Sequence, residues 1–154
     1  MTKKDPRAPG APWVLPYLMS KDAGKAIEFY KNAFGFEILE ARTDDDNQVV
    51  HAELRYRDQW IMIGQEGVYE ECTSVAPATN NVECPIAMCV YVDDVDQFFL
   101  KATKHGAKIK FAPDDMPWGD RACNLTDPDG YSWTFCTHTG VPAHQHGEGC
   151  CGGH

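Results

Sequence analysis

Two stretches of this chain read as one unit written twice: a strand, a helix opened by Asp and closed by Gly, and three more strands. The first runs from Trp13 to Gln65 and the second from Pro85 to Cys136. Asp22 with Gly35 anchors the first copy and Asp94 with Gly106 the second, an offset of about 72 residues, as in tandem copies of one supersecondary unit. Each copy alone is short for a self-sufficient core, so the two must pack together or exchange between subunits. A small-molecule site at their seam would draw side chains from both.

Local signals give the elements. In the first module, residues 13–66, a strand spans Trp13 to Leu18, and Asp22 caps a helix from Ala23 to Phe34. The stripe Ala26, Ile27, Tyr30, Ala33 and Phe34 faces inward, and Gly35 ends the helix. Strands follow at Phe36–Arg42, Val49–Tyr56 and Trp60–Gly64, broken by turns at Asp44–Asn47 and Arg57-Asp58. Residues 67–82 are small and polar, a linker. The second module, residues 83–138, has a strand at Ile86–Val92, a helix at Val95–His105 capped by Asp94, and strands at Lys108–Ala112, Arg121–Leu125 and Tyr131–Cys136. Residues 1–12 form a flexible arm, and residues 139–154 a disordered tail with almost no large apolar residue.

Composition narrows the partners. A net charge of -9 and a pI near 5.0 argue against nucleic acid, whose binding relies on clustered Lys and Arg. No run approaches the length of about 18 apolar residues that a membrane helix needs, and the first ten residues do not resemble a signal peptide. Seven cysteines without a scaffold spacing fit free thiols in a reducing compartment, so the expected location is cytoplasmic.

Val92-Asp93-Asp94-Val95-Asp96 before a helix, Trp118-Gly119-Asp120-Arg121 before a strand and Asp127-Pro128-Asp129-Gly130 before the last strand resemble the glyoxalase, bleomycin-resistance and extradiol-dioxygenase (vicinal oxygen chelate) superfamily. Pro16-Tyr17-Leu18, Asp22-Ala23, Ala26-Ile27-Glu28-Phe29-Tyr30 and Ala33-Phe34-Gly35 agree in the first copy. The resemblance, covering about Trp13 to His138, implies an α+β fold of two paired βαβββ modules, each a curved mixed sheet around a cavity, usually in a homodimer. It also implies metal ligands, a His on the first strand and a Glu on the last strand of each module. Carried over, those positions fall at Leu15, Met62, Ala87 and Thr134, none of them a His, Asp or Glu. The chain therefore resembles a variant without the usual ligands, with no cavity metal expected and metal-dependent glyoxalase or dioxygenase chemistry disfavoured.

Alternation from those positions predicts the cavity lining: Trp13, Leu15 and Tyr17; His51 and Glu53; Trp60 and Met62; Cys89 and Tyr91; Arg121 and Cys123; Ser132, Thr134 and Cys136. Trp118 is a candidate lid. Such an aromatic pocket suits a flat or partly apolar ligand, and the leading expectation is sequestration of an antibiotic or other toxic compound. A second expectation is a lyase or isomerase using His51 and Glu53 as base and partner, with Arg121 holding an anionic substrate group. Cys89, Cys123 and Cys136 would favour a soft ion if they converged. A third function is metal handling by the tail, where His144, His146, Cys150, Cys151 and His154 are candidate ligands for zinc, nickel or copper.

Overall fold

A computed structural model describes residues 4–141 and 143 of the chain. The tail positions His144, His146, Cys150, Cys151 and His154 lie outside the described residues.

The first module contains β1 (Tyr17–Ser20), α1 (Ala23–Phe29), β2 (Glu37–Thr43), β3 (Val49–Tyr56) and β4 (Gln59–Gln65). The second contains β5 (Ala87–Tyr91), α2 (Val95–Lys104), β6 (Lys108–Asp115), β7 (Asp120–Thr126) and β8 (Ser132–His138). Each forms a four-stranded mixed sheet, ordered β1-β4-β3-β2 and β5-β8-β7-β6. The fold is α+β, two βαβββ modules as the repeat predicts. Both helices start where the sequence places them: Asp22 accepts from the Lys25 N–H at 3.0 Å and Asp94 from the Gln97 N–H at 3.1 Å.

Three boundaries differ from the sequence reading by three or more residues, and one of them is the end of β6, at Asp115 rather than Ala112. β1 begins at Tyr17 rather than Trp13, because the ladder opens with Pro16 O accepting from Met62 N, and Trp13 and Val14 stay exposed. The first helix stops at Phe29 and continues as a π turn over Tyr30–Phe34, closed by Gly35 at φ 74°. The wider turn still buries Tyr30, Ala33 and Phe34.

The core lies where the helices and the backs of both sheets meet. Phe34 of the first module packs edge-on against Phe135 and beside Trp133 of the second, and Tyr30 and Phe36 also touch the Trp133 ring. Neither module could bury these rings alone, which is why the copies pack together. A polar clasp reinforces the contact. Buried Asp127, in the β7–β8 loop, accepts from the Tyr30 hydroxyl and from Trp133 Nε1 (3.0 Å). Asp129 accepts from Ser20 Oγ at 2.6 Å and Lys21 N at 2.9 Å, and the Tyr131 hydroxyl bonds both the N–H and the carbonyl of Met19.

Candidate functional site

The face of each sheet turned away from the helices carries most of the predicted lining. On the first sheet, Ala52, Leu54, Ile61 and Ile63 are buried in the core, so the alternate residues His51, Glu53, Trp60 and Met62 face the open side. Tyr17 stands beside Met62, and Glu53 lies on the other side of Met62. On the second sheet Cys89 pairs with Thr134 and Tyr91 with Cys136.

Arg121 and Cys123 point the other way. Cys123 is paired with Phe135 in the core and fully buried, and burial pushes its thiol up to about 11. Arg121 turns toward α2, where its Nε and Nη2 donate to Asp96 at 2.8 and 3.0 Å and its Nη1 to Asp115 at 3.2 Å. Those contacts hold Arg121 away from the open face, where its expected role as an anion holder would place it. The reason lies in the turns. The β3–β4 turn is Arg57-Asp58, two residues, whereas Asp127–Tyr131, five residues, joins β7 to β8. The offset that carries Tyr17 to Cys89 and Met62 to Thr134 therefore fails for β7: Glu53 beside Met62 corresponds to Asn124 beside Thr134. An odd change in turn length reverses which face each residue takes. The three thiols consequently do not converge. Cys89 and Cys136 share the open face and Cys123 lies behind it; burial also pushes Cys136 up to about 11, and its thiol lies 3.7 Å from Val90 O.

Between the β3–β4 hairpin and β5, at the seam of the modules, lies a cleft of about 410 Å³. Phe36, Tyr56, Trp60, Met88, Tyr91 and Trp133 wall it, with the exposed polar groups of Arg57, Asp58 and Gln59 beside them. The Tyr56 hydroxyl donates to Tyr91 O at 3.1 Å and Arg57 pairs with Asp93 at 2.9 Å, tying hairpin to β5 across the seam. Of the predicted lining, the cleft gathers Trp60, Cys89 and Tyr91. His51, Glu53, Met62 and Tyr17 lie along the first sheet, and Thr134 on the second. Trp13 sits apart on the N-terminal segment under the Arg7 guanidinium, 4.4 Å from its ring centre. Trp118 is exposed, its Nε1 donating to Asp120 at 3.0 Å.

His51 is held in place. Its Nδ1 is 3.2 Å from the Tyr17 hydroxyl, and the tyrosine ring reaches it by lying across Gly64, the cross-strand neighbour of His51. A Cβ at Gly64 would come within 2.8 Å of that hydroxyl and 2.7 Å of Met19 Cε. Sequence reasoning missed several residues here. Asn124, which donates to Ser132 Oγ and Thr134 Oγ1, was hidden by the β7 reversal. Phe36 and Trp133 are core and Tyr56 packs against it half-buried, yet all three also line the cleft. Asp120 was visible only within the Trp118-Gly119-Asp120-Arg121 motif, and His138 only as the end of the second module, two residues past the expected strand.

Residues 12–135 match the sequence profile of the Glyoxalase/Bleomycin resistance protein/Dioxygenase superfamily. The chain belongs to this superfamily. An uncharacterized protein of Mycobacterium bovis is 34% identical over 126 residues, 80% of this chain and 82% of that protein. TioX from Micromonospora sp. ML1 has a similar structure, with 26% identity, 80% of this chain and 96% of that one covered, and a TM-score of 0.66. The bleomycin resistance determinant encoded on transposon Tn5 shares the fold at 20% identity, covering 83% of this chain and 98% of that one, with a TM-score of 0.56.

Many glyoxalase and dioxygenase chemistries of the superfamily use a divalent metal, and the residues present in this member do not fit one. The register sets Tyr17 rather than Leu15 beside Met62 and Cys89 rather than Ala87 beside Thr134; these offer a phenol, a thioether, a thiol and a hydroxyl, not the imidazoles and carboxylates a hard ion requires. Among the described residues, no group of three His, Cys, Asp or Glu side chains is placed to hold an ion. No helix among them is long and apolar enough to cross a membrane.

Proposed function

We propose that this protein binds a flat, partly apolar small molecule in the cleft at the module seam and holds it without transforming it, as in sequestration of an antibiotic or toxic compound. The observation that carries this reading is the cleft itself: aromatic walls contributed by both modules, few polar groups, and a volume of about 410 Å³ in the range of small-molecule sites. The net charge of -9 favours a neutral or cationic ligand over an anionic one. Trp13, Val14 and Tyr17 stay exposed, which supports a homodimer in which a second copy covers them. A monomer in sedimentation analysis at micromolar concentration would remove that part of the reading.

A thermal-shift screen of aromatic and cationic compounds is the direct test. A ligand at a hundred times its dissociation constant stabilises the fold by about 2.7 kcal/mol, and Trp60→Ala should abolish the shift. If no compound shifts the melting temperature, or if Trp60→Ala responds like wild type, the cleft is not the binding site.

A metal-independent lyase or isomerase reaction centred on His51 and Glu53 is the second reading, favoured by the Tyr17–His51 hydrogen bond that orients the imidazole. Turnover of a compound found by the screen should then fall about a hundredfold in His51→Ala, and an unchanged rate excludes His51.

A further inference from the structure

Beside the cleft, one carboxylate holds three aromatic side chains by their polar atoms. Asp120, with only 9% of its side chain exposed, accepts from His138 Nδ1 at 2.8 Å, Trp118 Nε1 at 3.0 Å and the Tyr91 hydroxyl at 3.2 Å. The donors come from β8, the loop before β7, and β5. These bonds, the one from His138 foremost, hold the Asp120 carboxyl below its usual range. It is therefore ionised at neutral pH and can only accept, which places the imidazole proton on Nδ1. In neutral His138 the Nε2 lone pair is then free, and no hydrogen bond to it occurs among the described residues, although 66% of the side chain is exposed.

The neighbouring rings are anchored in the same way. Tyr91 and Trp118 are 60% and 67% exposed, yet their hydroxyl and N–H are already bonded to Asp120, so apolar ring surface is what they present. Trp118 also walls a shallow hollow with Phe111, Pro113 and Met116. A role as a mere loop latch does not account for this. The segment after β8 is already tied down by Thr139 N and Gly140 N, both donating to Gly119 O at 3.0 Å.

We propose that His138, oriented by Asp120 beside the exposed rings of Tyr91 and Trp118, is a binding site for a planar aromatic molecule carrying an O–H or N–H group, with Nε2 accepting that hydrogen. The acidic partner rules against a carboxylate or phosphate ligand, since the Asp120 charge lies directly behind the imidazole. Cys136, whose thiol stays protonated at neutral pH, adds no further charge. The site adjoins the cleft through Tyr91, which lines one and anchors the other, but its occupancy does not require the cleft to be filled.

The test is long-range 1H–15N NMR of the His138 imidazole in the full chain. Two probes are titrated: 2-naphthol, and 2-methoxynaphthalene, which keeps the rings and lacks the donor. 2-Naphthol should move the Nε2 resonance and bind about tenfold more tightly than the ether, the scale of one hydrogen bond. His138→Phe, which keeps a ring without the acceptor, should erase that preference. Equal binding of the two probes, or a Nε2 resonance unmoved up to the solubility limit of 2-naphthol, overturns the proposal. The Trp60 indole N–H reports the cleft separately. A shift there with His138 unmoved sinks this site and leaves the cleft reading standing; a His138 shift with Trp60 unmoved supports this site and leaves the cleft to its own screen.

Discussion

The two modules share one topology and use their last hairpins in opposite ways. In the first, the two-residue turn Arg57-Asp58 is exposed and lies beside the cleft. In the second, the five-residue loop Asp127–Tyr131 reaches across the seam, and its carboxylates and phenol bond Tyr30, Ser20, Lys21 and Met19 of the other module. The connection from Asn124 to Thr134 is one residue longer than that from Glu53 to Met62, and this reverses the facing of β7 relative to β3. One change in loop length thus locks the halves together and makes their open faces unlike: His51 and Glu53 on one, Asn124, Asp120 and His138 on the other. Duplication supplies a scaffold, and a single odd-numbered insertion is enough to free one copy from the chemistry of its twin.

The largest expected effect tests that asymmetry of hairpins. Asp127→Ala should cost about 3 kcal/mol, because the Tyr30 hydroxyl and Trp133 Nε1 lose their acceptor inside the core, whereas Asp58→Ala should change stability by less than about 0.5 kcal/mol. Urea denaturation of both variants decides it, and equal losses would break the contrast. Burial, the foremost cause, pushes the Asp127 carboxyl up to about 6. Folding therefore favours its protonated form. That contribution is complete below the ordinary carboxylate value of about 4 and is lost as pH rises through about 6, a change on the order of 3 kcal/mol. Asp127→Asn should flatten wild-type stability across that window, and a slope of unchanged size would assign it to other groups.

A smaller effect concerns the open faces. Gly64 and Cys136 occupy the corresponding places beside His51 and Ala122. At Gly64 the Tyr17 ring lies across the backbone where a Cβ would stand, so Gly64→Ala should cost about 1–2 kcal/mol and break the Tyr17–His51 bond, seen as a changed His51 tautomer by NMR. An unaltered tautomer would mean that Tyr17 reaches His51 by another path. The smallest effect follows from the reversed strand. Arg121→Ala, losing a partly exposed ion pair on the helix side, should cost less than about 1 kcal/mol and leave binding of any cleft ligand unchanged. Loss of binding in that variant would return Arg121 to the open face.

Much of the fold was legible because its signals are local. Asp22 and Asp94 cap helices through N–H groups three residues away, Gly35 and Gly106 take the positive φ that ends them, and alternation marks β3 and β4 to within a residue. The candidate site was only half legible. Trp60, Cys89 and Tyr91 came from alternation counted within single strands, which the strands obey. Arg121 and Cys123 came out reversed because their facing depends on pairing across a turn of different length.

What the sequence by itself determined is the repeat, the helix ends, the strands and the apolar or neutral residues standing where metal ligands would be. These depend on backbone preferences and on side-chain identity, both written residue by residue. Only the tertiary structure decided which face of β7 is open, that Asp127 clasps the other module, and that Asp120 gathers His138, Trp118 and Tyr91 from three separate elements. Those outcomes depend on register and on contacts between residues far apart in the chain, and a hydrogen bond exists only once both of its partners have been placed.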